Sequence, residues 1–584
     1  MATPANRELV AECCRIIHEG FLRYNENFTR ISTRARRRFE QRDWKGHQLD
    51  IVERVDLYEK TVRRIVSQLT RRLGPRLSDT DLWNDLRWYY GQRVAGIYDS
   101  GFMKTFFNSV SRRIFDTVGV DPRLEFVSPA PDEGFNAIES LRLRRYPFWS
   151  SLHDIFDTLL RDFRPAIACA DMDTDVNFVA EEVARHARIY LDEFGEFLRF
   201  EFIDTVFYQS SRAYLVGRIV QEGHITPLVL ALENGERGIR VDAALMSEEE
   251  VSVVFSYTRS YFFADPNTVV GAVHFLHSFL PRKPIDELYT VLGRLRQGKT
   301  ERHRIFTNHL NSTRDKFVHA EGDTGLVMLV FTLPSYDLVF KVIRDRFGHP
   351  KTISRGDVVE KYRLVSKHDH AGRLIDTQEF LNLEFPVGRF ARKLLDDLLA
   401  ETADTVSING DRLLFDHVYA ERRVRPLNLY LQEARHADAA RAILDYGQAI
   451  RDLADTNIFP GDLLLKNFGV THHGRVVFYD YDEVALVTEC NFREMPAPAS
   501  EDELMSADTW FYVGEHDIFP EEFIKFLGMD RDLRELFIEV HGDLLRADFW
   551  RDIKQRLQQG EVRPVVPYAR PALTRAADLQ RFTA

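Results

Sequence analysis

Cysteine is scarce: Cys13, Cys14, Cys169 and Cys490 are all that 584 residues contain. That number and spacing exclude a disulfide scaffold and any paired-cysteine metal site, and point to a reducing, cytoplasmic home. Long apolar runs are missing too. None approaches the ~20 residues that would span a bilayer, so no membrane role is expected. The opening stretch MATPANRELVAECCRIIHEGF breaks its apolar pattern with Glu8, Glu12 and Arg15, unlike a signal peptide. The sequons at Asn27 and Asn311 are accordingly read as chance matches. An excess of positive charge is also absent: 78 Lys+Arg against 90 Asp+Glu leave a net charge of -12, which argues against nucleic acid or an anionic membrane as principal partner. The run Arg34, Arg36, Arg37, Arg38 is a local exception, and Glu40 and Asp43 directly after it mark a solvated helix face. Low-complexity tracts and internal repeats are missing as well.

What is present is ordinary globular composition, 44% hydrophobic and 29% charged, on a chain long enough for two to four domains. From about Arg7 to Leu73 apolar residues recur every three or four positions, as in IVERVDLYEKTVRRIVSQL, the mark of amphipathic helices. Helical patterning continues through DLWNDLRWYYGQRVAGIYDSGFMKTFFNSV and VNFVAEEVARHARIYLDEFG. Between Phe200 and Phe263 the pieces YLVGRIV, TPLVLALEN and VSVVFSYTRSYFF read as strands. The polar stretch Arg296 to Lys316 reads as a boundary, giving a first domain over 1–312 and a second over 313–584. After it, KFVHAEGDTGLVMLVFTLPSYDLVFKVIRD reads as three antiparallel strands in succession. A helix at SRGDVVEKYRLVS, strands at QEFLNLEF and RLLFDHVYA, and helices at ARKLLDDLLAE and ADAARAILDYGQAIRDLADTN follow.

Gly293-Arg-Leu-Arg-Gln-Gly298-Lys299-Thr300 satisfies the phosphate-loop expression. A working phosphate loop must leave a buried strand and open a helix, whereas PIDELYTVLGRLRQ before it is helical in pattern, so a helix end or linker is the reading. A second nucleotide candidate is the turn between the first two strands, Ala320, Glu321, Gly322, Asp323, Thr324, Gly325 and Leu326. It gains weight from Lys341, which sits among Leu338, Val339, Phe340, Val342 and Ile343, where an unpaired ammonium is costly. A phosphate or carboxylate would satisfy it; so would an edge position with the ammonium reaching water. The third feature is IFPGDLLLKNFGVTHHGRVVFYDYDE. Asp462 and Asn467 hold the D-x-x-x-x-N spacing of a kinase catalytic loop, and a hairpin then ends in Asp480. In such a set the first Asp orients a hydroxyl and accepts its proton, while Asn467 and Asp480 hold magnesium against phosphates. His368/His370 and His472/His473 match no common metal spacing and read as polar turns.

With these residues in view, the chain resembles the isocitrate dehydrogenase kinase/phosphatase family of bacteria over essentially its whole length, most specifically in NIFPGDLLLKNFGVTHHGRVVFYDYDE and its continuation TECNFREMP. The resemblance implies an α+β chain: a mainly helical N-terminal regulatory domain that responds to AMP, then a two-lobed protein-kinase-like domain. It implies ATP/ADP and Mg2+, with Mn2+ as the alternative metal. It implies NADP-dependent isocitrate dehydrogenase as the protein substrate, reversibly phosphorylated on serine at the branch between Krebs cycle and glyoxylate bypass, and it allows a homodimer. By the same resemblance the ATP loop falls on Ala320 to Leu326, the ATP-contacting lysine on Lys341, and an active-site aspartate on Asp376. Asp462 takes the catalytic-loop role, Asn467 and Asp480 the metal, Glu360 the partner of Lys341, and a segment at about 490–526 substrate recognition. Departures from ordinary kinases are Gly461 in place of the arginine of His-Arg-Asp and Asp480-Tyr481-Asp482 in place of Asp-Phe-Gly, with no Ala-Pro-Glu after them. Asp376, Asp482 and Glu483 exceed what phosphoryl transfer needs and suggest where a hydrolytic water is handled. A nucleotide-sensing pseudokinase and a small-molecule kinase stay as alternatives. The extended tail Val562 to Pro571 has no assigned role.

Overall fold

The computed structural model describes residues 4–127, 137–148, 151–164, 168–191, 198–221, 224–256, 262–349, 351, 353–368, 371–496, 511–514, 516–561, 563 and 565–568. The chain forms two compact units: residues 1–312 with the segment from Val566 onward, and Thr313–Val565, which is inserted between them. No helix of the described residues is long and apolar enough to cross a membrane. Cys13, Cys14 and Cys490 are buried free thiols and Cys169 is half-buried.

Unit one begins with helices α1 (Pro4–Ser32), α2 (Arg34–Glu40), α3 (Trp44–Leu73), α4 (Thr80–Val94) and α5 (Ser100–Phe115). The three- and four-residue apolar spacing of α3 turns Tyr58, Val62, Ile65 and Leu69 onto one side, where they pack with Phe21, Tyr24, Trp83, Tyr90 and Phe106. The basic run at α2 is neutralised locally: Arg34 pairs with Asp50 and Glu53, Arg36 with Glu40, and Arg38 with Asp50. Helices α6 (Leu152–Phe163) and α7 (Met172–Leu191) follow. A five-stranded antiparallel sheet, β1 (Leu143–Pro147), β2 (Arg199–Gln209), β3 (Arg212–Gln221), β4 (His224–Gly235) and β5 (Gly238–Leu245), runs in chain order. Both of its faces are covered: Leu228, Leu230 and Leu232 pack with α6 and α7 residues, while Val229 and Ala231 face a second core. That is why β4 reads as a continuous apolar run rather than an alternating one.

Three expectations bear on unit one, and the first and third need correction. VSVVFSYTRSYFF does not begin as a strand: α8 (Glu248–Val254) forms because Ser247 and Glu250 make a reciprocal capping box, and residues 257–261 lie outside the described residues. Within the polar stretch expected to hold a boundary, unit one's first segment ends at Ser312, and the residues up to that point form α11 (Leu295–Ser312), after α9 (Val269–His277) and α10 (Ile285–Val291). Three polar residues of α11, Gln297, Glu301 and Arg302, are buried, the last paired with Asp286 at 2.7 Å. Gly298 lies in this helix, where a Cβ would be 2.3 Å from Thr290 Oγ1 and 2.5 Å from the Asp286 carbonyl, so it serves helix contact and this stretch is not a phosphate loop. Third, the second domain does not run to Ala584. Tyr568 is buried in unit one, its hydroxyl donating to Asp242 Oδ2 at 2.9 Å and accepting from Arg212 Nε at 3.1 Å. Val562, Pro564 and everything after Tyr568 lie outside the described residues.

Unit two has a strand lobe and a helical lobe. The strands β6 (Val318–His319), β7 (Met328–Thr332) and β8 (Leu338–Ile343) are antiparallel neighbours, as the sequence pattern implies. They continue through β11 (Arg412–Arg422), which also pairs with β9 (Thr377–Pro386) and β10 (Val406–Asn409). Phe317, Phe331, Phe340, Phe385, Phe390 and Phe415 fill the sheet's apolar side with ring contacts. Helices α12 (Arg355–His368) and α13 (Arg392–Glu401) belong to this lobe. After β12 (Arg425–Pro426) the second lobe contains α14 (Leu427–Glu433), α15 (His436–Asp455), and the helices Arg531–His541 and Ala547–Gln558. Short strands β13 (Ile458–Phe459), β14 (Phe468–Val470), β15 (Val476–Phe478) and β16 (Ala485–Leu486) frame the catalytic-loop stretch between the lobes, with β14 and β15 forming the expected hairpin. The result is the α+β class anticipated, a mostly helical first part followed by a two-lobed second.

Candidate active site

Lys341 stands in the middle of β8 and its ammonium is almost fully buried. It is satisfied by a carboxylate, but not by the one on α12. Glu421 Oε2 lies 2.7 Å from Lys341 Nζ, whereas Glu360 is exposed and pairs with Arg363. Register explains the correction: Tyr419 is opposite Lys341 and Glu421 opposite Val339, so Lys341 and Glu421 are diagonal neighbours on one face of the sheet. Burial pushes the Glu421 carboxyl up, and Lys341 offsets part of that. Thr377 donates its hydroxyl to Glu421 Oε1 at 2.7 Å, next to buried Asp376, whose Oδ2 accepts from Gln378 Nε2 at 3.2 Å.

Lys341 also donates to the Tyr479 carbonyl at 2.7 Å, and this joins the sheet to the hairpin. The Tyr479 N–H donates to the Asn467 carbonyl at 3.1 Å, and Asn467 Nδ2 donates to the Asp462 carbonyl at 3.3 Å. One hydrogen-bonded path therefore brings together Lys341, Asp480 beside Tyr479, Asn467 and Asp462. Asn467 is buried, Asp480 half-buried, and Asp462 reaches the surface. Burial, then the neighbouring Asp482 carboxyl, pushes Asp480 up to about 7. Crowding by protein, then the Glu483 carboxylate, raises Asp462 to about 6.

The departures from ordinary kinase motifs have local causes. Gly461 has φ +79, and a Cβ there would lie 2.6 Å from the Glu483 carbonyl, so no side chain fits before Asp462. Tyr481 is fully buried, its hydroxyl donating to the Ile375 carbonyl at 2.8 Å and its ring meeting Tyr362 of α12 edge-on at 5.2 Å. Asp482 and Glu483 are not loose acid: Lys351, from the stretch between β8 and α12, lies 3.2 Å from Asp482 Oδ2 and also pairs with Glu483. Burial would lower the Lys351 ammonium, but the two carboxylates outweigh it and raise it. Lys351 and Glu421 are the two residues that sequence reasoning missed.

The turn from Ala320 to Leu326 lies between β6 and β7. Glu321 to Leu326 are exposed; Glu321 pairs with Arg425, and Asp323 lies 3.9 Å from Lys466. The turn thus borders the segment between the lobes and the catalytic-loop stretch. The anticipated recognition segment at about 490–526 is described only in part: β17 (Asn491–Phe492) and β18 (Asp517–Ile518) pair in parallel, and residues 497–510 and 515 lie outside the described residues. His370 is outside them too; His472 faces Asp337 at 3.5 Å, and no group of metal-ligating His, Cys, Asp and Glu side chains occurs among the described residues. Magnesium at Asn467 and Asp480 would use an amide oxygen and a single carboxylate, hard donors of the kind that share such an ion with water and phosphate.

Comparison with known proteins agrees with this architecture. The family model of the isocitrate dehydrogenase kinase/phosphatase (AceK) regulatory domain matches residues 14–314, and that of its kinase domain matches 315–570. An isocitrate dehydrogenase kinase/phosphatase of Anaeromyxobacter sp. (strain Fw109-5) is 46% identical over 571 residues, 97% of this chain and 98% of the relative. One from Xanthomonas campestris pv. campestris (strain 8004) is 44% identical over 563 residues, 95% of this chain and 96% of the relative. With two family models covering nearly its whole length, this chain belongs to the isocitrate dehydrogenase kinase/phosphatase family.

Proposed function

We propose that this chain is an ATP-dependent serine kinase and phosphoprotein phosphatase that reversibly modifies NADP-dependent isocitrate dehydrogenase, setting the branch between Krebs cycle and glyoxylate bypass in the cytoplasm. Near full-length relatives named for both activities support the pairing. The observation that carries the kinase half is the path from the Glu421–Lys341 pair through Tyr479 to Asn467 and Asp462. It joins the nucleotide side of the site to the residue that handles the acceptor hydroxyl.

The turn Ala320–Leu326 and Lys341 hold the phosphates of ATP. Asn467 and Asp480 hold Mg2+, or Mn2+, which when bound neutralises phosphate charge. Asp480 suits this because it is pressed against Asp482 and a cation relieves that repulsion. Asp462, held above the ordinary carboxylate range, orients the serine hydroxyl and takes its proton. For the reverse task Asp376, Asp482 and Glu483 position a water against phosphoserine. Unit one supplies control by binding AMP, because the elements through which activation-loop phosphorylation acts in ordinary kinases are missing.

The test is incubation with labelled ATP and purified NADP-dependent isocitrate dehydrogenase, followed by a chase with ADP or AMP. Label should appear on a serine of the dehydrogenase and leave during the chase. A dehydrogenase that never takes label overturns the proposal, and label that persists through the chase removes its phosphatase half.

A further inference from the structure

Lys351 touches the two carboxylates that phosphoryl transfer does not require. Its side chain is 16% exposed, and its ammonium sits 3.2 Å from Asp482 Oδ2 and is paired with Glu483. Ten residues on, Lys361 of α12 donates to the Val484 carbonyl at 2.6 Å. Tyr362, also on α12, meets the ring of Tyr481, whose hydroxyl is tied to the Ile375 carbonyl beside Asp376. The segment Tyr481–Val484 is therefore held at several points by α12 and the stretch that precedes it.

Lys351 itself pairs with Asp482 and Glu483, whereas Lys341 pairs with Glu421. In an ordinary kinase the helix after the lysine strand carries the lysine's glutamate partner; here the sheet supplies that partner as Glu421, and α12 with Lys351 serves the surplus acidic segment instead. The difference lies in which carboxylates each ammonium touches directly. Lys341 contacts Glu421 and the Tyr479 carbonyl, while Lys351 contacts Asp482 and Glu483, which in turn adjoin Asp480 and Asp462. Two adjacent carboxylates beside Asp462 and Asp480 repel one another and their neighbours, and an ammonium bridging them holds both in one arrangement.

We infer that Lys351 is a positioning residue for dephosphorylation, fixing Asp482 and Glu483 where they orient the attacking water, and that transfer from ATP depends on it little. The inference rests on the bifunctional reading given above. In the step it serves, a water oxygen forms a bond to phosphorus as the bond from phosphorus to the serine oxygen breaks. The water proton passes to a carboxylate and a proton returns to the serine oxygen, leaving serine and inorganic phosphate.

The experiment compares Lys351→Met and Lys351→Arg with the unsubstituted full chain, measuring kcat and KM for both directions with the dehydrogenase and its phosphorylated form. Lys351→Met should lower the phosphatase kcat by about tenfold or more with KM changed less than about threefold, while the kinase kcat stays within about threefold. Lys351→Arg, which keeps the charge, should recover most of the loss. Equal losses in both directions, or an undiminished phosphatase, overturn the inference alone. An unsubstituted protein that phosphorylates but never dephosphorylates overturns the bifunctional reading and the inference with it. Should Lys351→Met melt well below the unsubstituted protein, Lys351→Gln decides by the same criteria.

Discussion

Lys341 and Glu421 are diagonal neighbours in one sheet, joined at 2.7 Å and both buried. Lys341 is thus held by a partner that cannot swing away with a helix. Removing one member of such a pair leaves a buried charge and costs about 3–5 kcal/mol. Glu421→Ala should lower both activities by about a hundredfold and depress the melting temperature, whereas Glu360→Ala, at an exposed helix position, should change neither. Steady-state assays with thermal melting of both variants check this.

Lys341→Ala and Asp480→Asn should each abolish phosphorylation and dephosphorylation together, since nucleotide and metal are proposed to be shared. Paired assays on each variant are the measurement. A phosphatase that survives either change would require a separate site.

Asp376→Ala should damage dephosphorylation more than phosphorylation. Asp376 is buried next to the Thr377–Glu421 contact yet outside the Lys341–Tyr479–Asn467 path. The ratio of the two kcat values is the readout, and an equal fall in both would contradict the assignment.

Gly461→Ala should impair both activities without unfolding the chain. The added methyl must fit where the Glu483 carbonyl lies 2.6 Å away, on a backbone at φ +79. Relief moves either Asp462 or the Asp482–Glu483 segment. A fall of about tenfold or more in kcat, with melting shifted by a few degrees at most, is expected.

Unit one contains a pH-dependent stability that is independent of catalysis. Asp175 is buried, and burial raises its carboxyl to about 6, although its Oδ1 accepts from the Val241 N–H at 3.0 Å. A raised folded-state pKa means that the folded form holds the proton more tightly than the unfolded chain. Stability from this group is therefore full below the ordinary carboxylate pKa and is lost as pH rises to about 6. Asp175→Asn keeps an acceptor for Val241 and should raise the melting temperature at about pH 7.5, with little difference at about pH 4.

Much of this architecture was legible because periodic signals carry it. The helices of the first 115 residues, the strands from Val318 to Ile343 and the hairpin after Asn467 all follow from spacing and turn residues. Lys341 was legible for a different reason, its chemical cost in an apolar strand. Its partner was not, because which strand lies beside β8 is a long-range fact and Glu421 is 80 residues away in a strand whose neighbours only the sheet reveals. Lys351 gave no signal, being one lysine in a polar connection. The missed helix α8 had a signal that apolar alternation masked, the Ser247–Glu250 capping box. The polar helix α11 hid its burial because its inward side carries Gln297, Glu301 and Arg302 as well as Phe306 and Leu310.

The place of Tyr568 gives the inserted catalytic unit a consequence for biosynthesis. A ribosome makes β3 and β5, with Arg212 and Asp242, long before it makes Tyr568, and residues 313–565 come between. Vectorial folding from the N-terminus therefore leaves the regulatory sheet without its phenol plug until the entire catalytic unit has emerged. A chain that stops anywhere inside that unit leaves Arg212 and Asp242 without the hydroxyl that bridges them, so messenger truncation or premature release produces a first unit that is incomplete although every residue of its sheet is present.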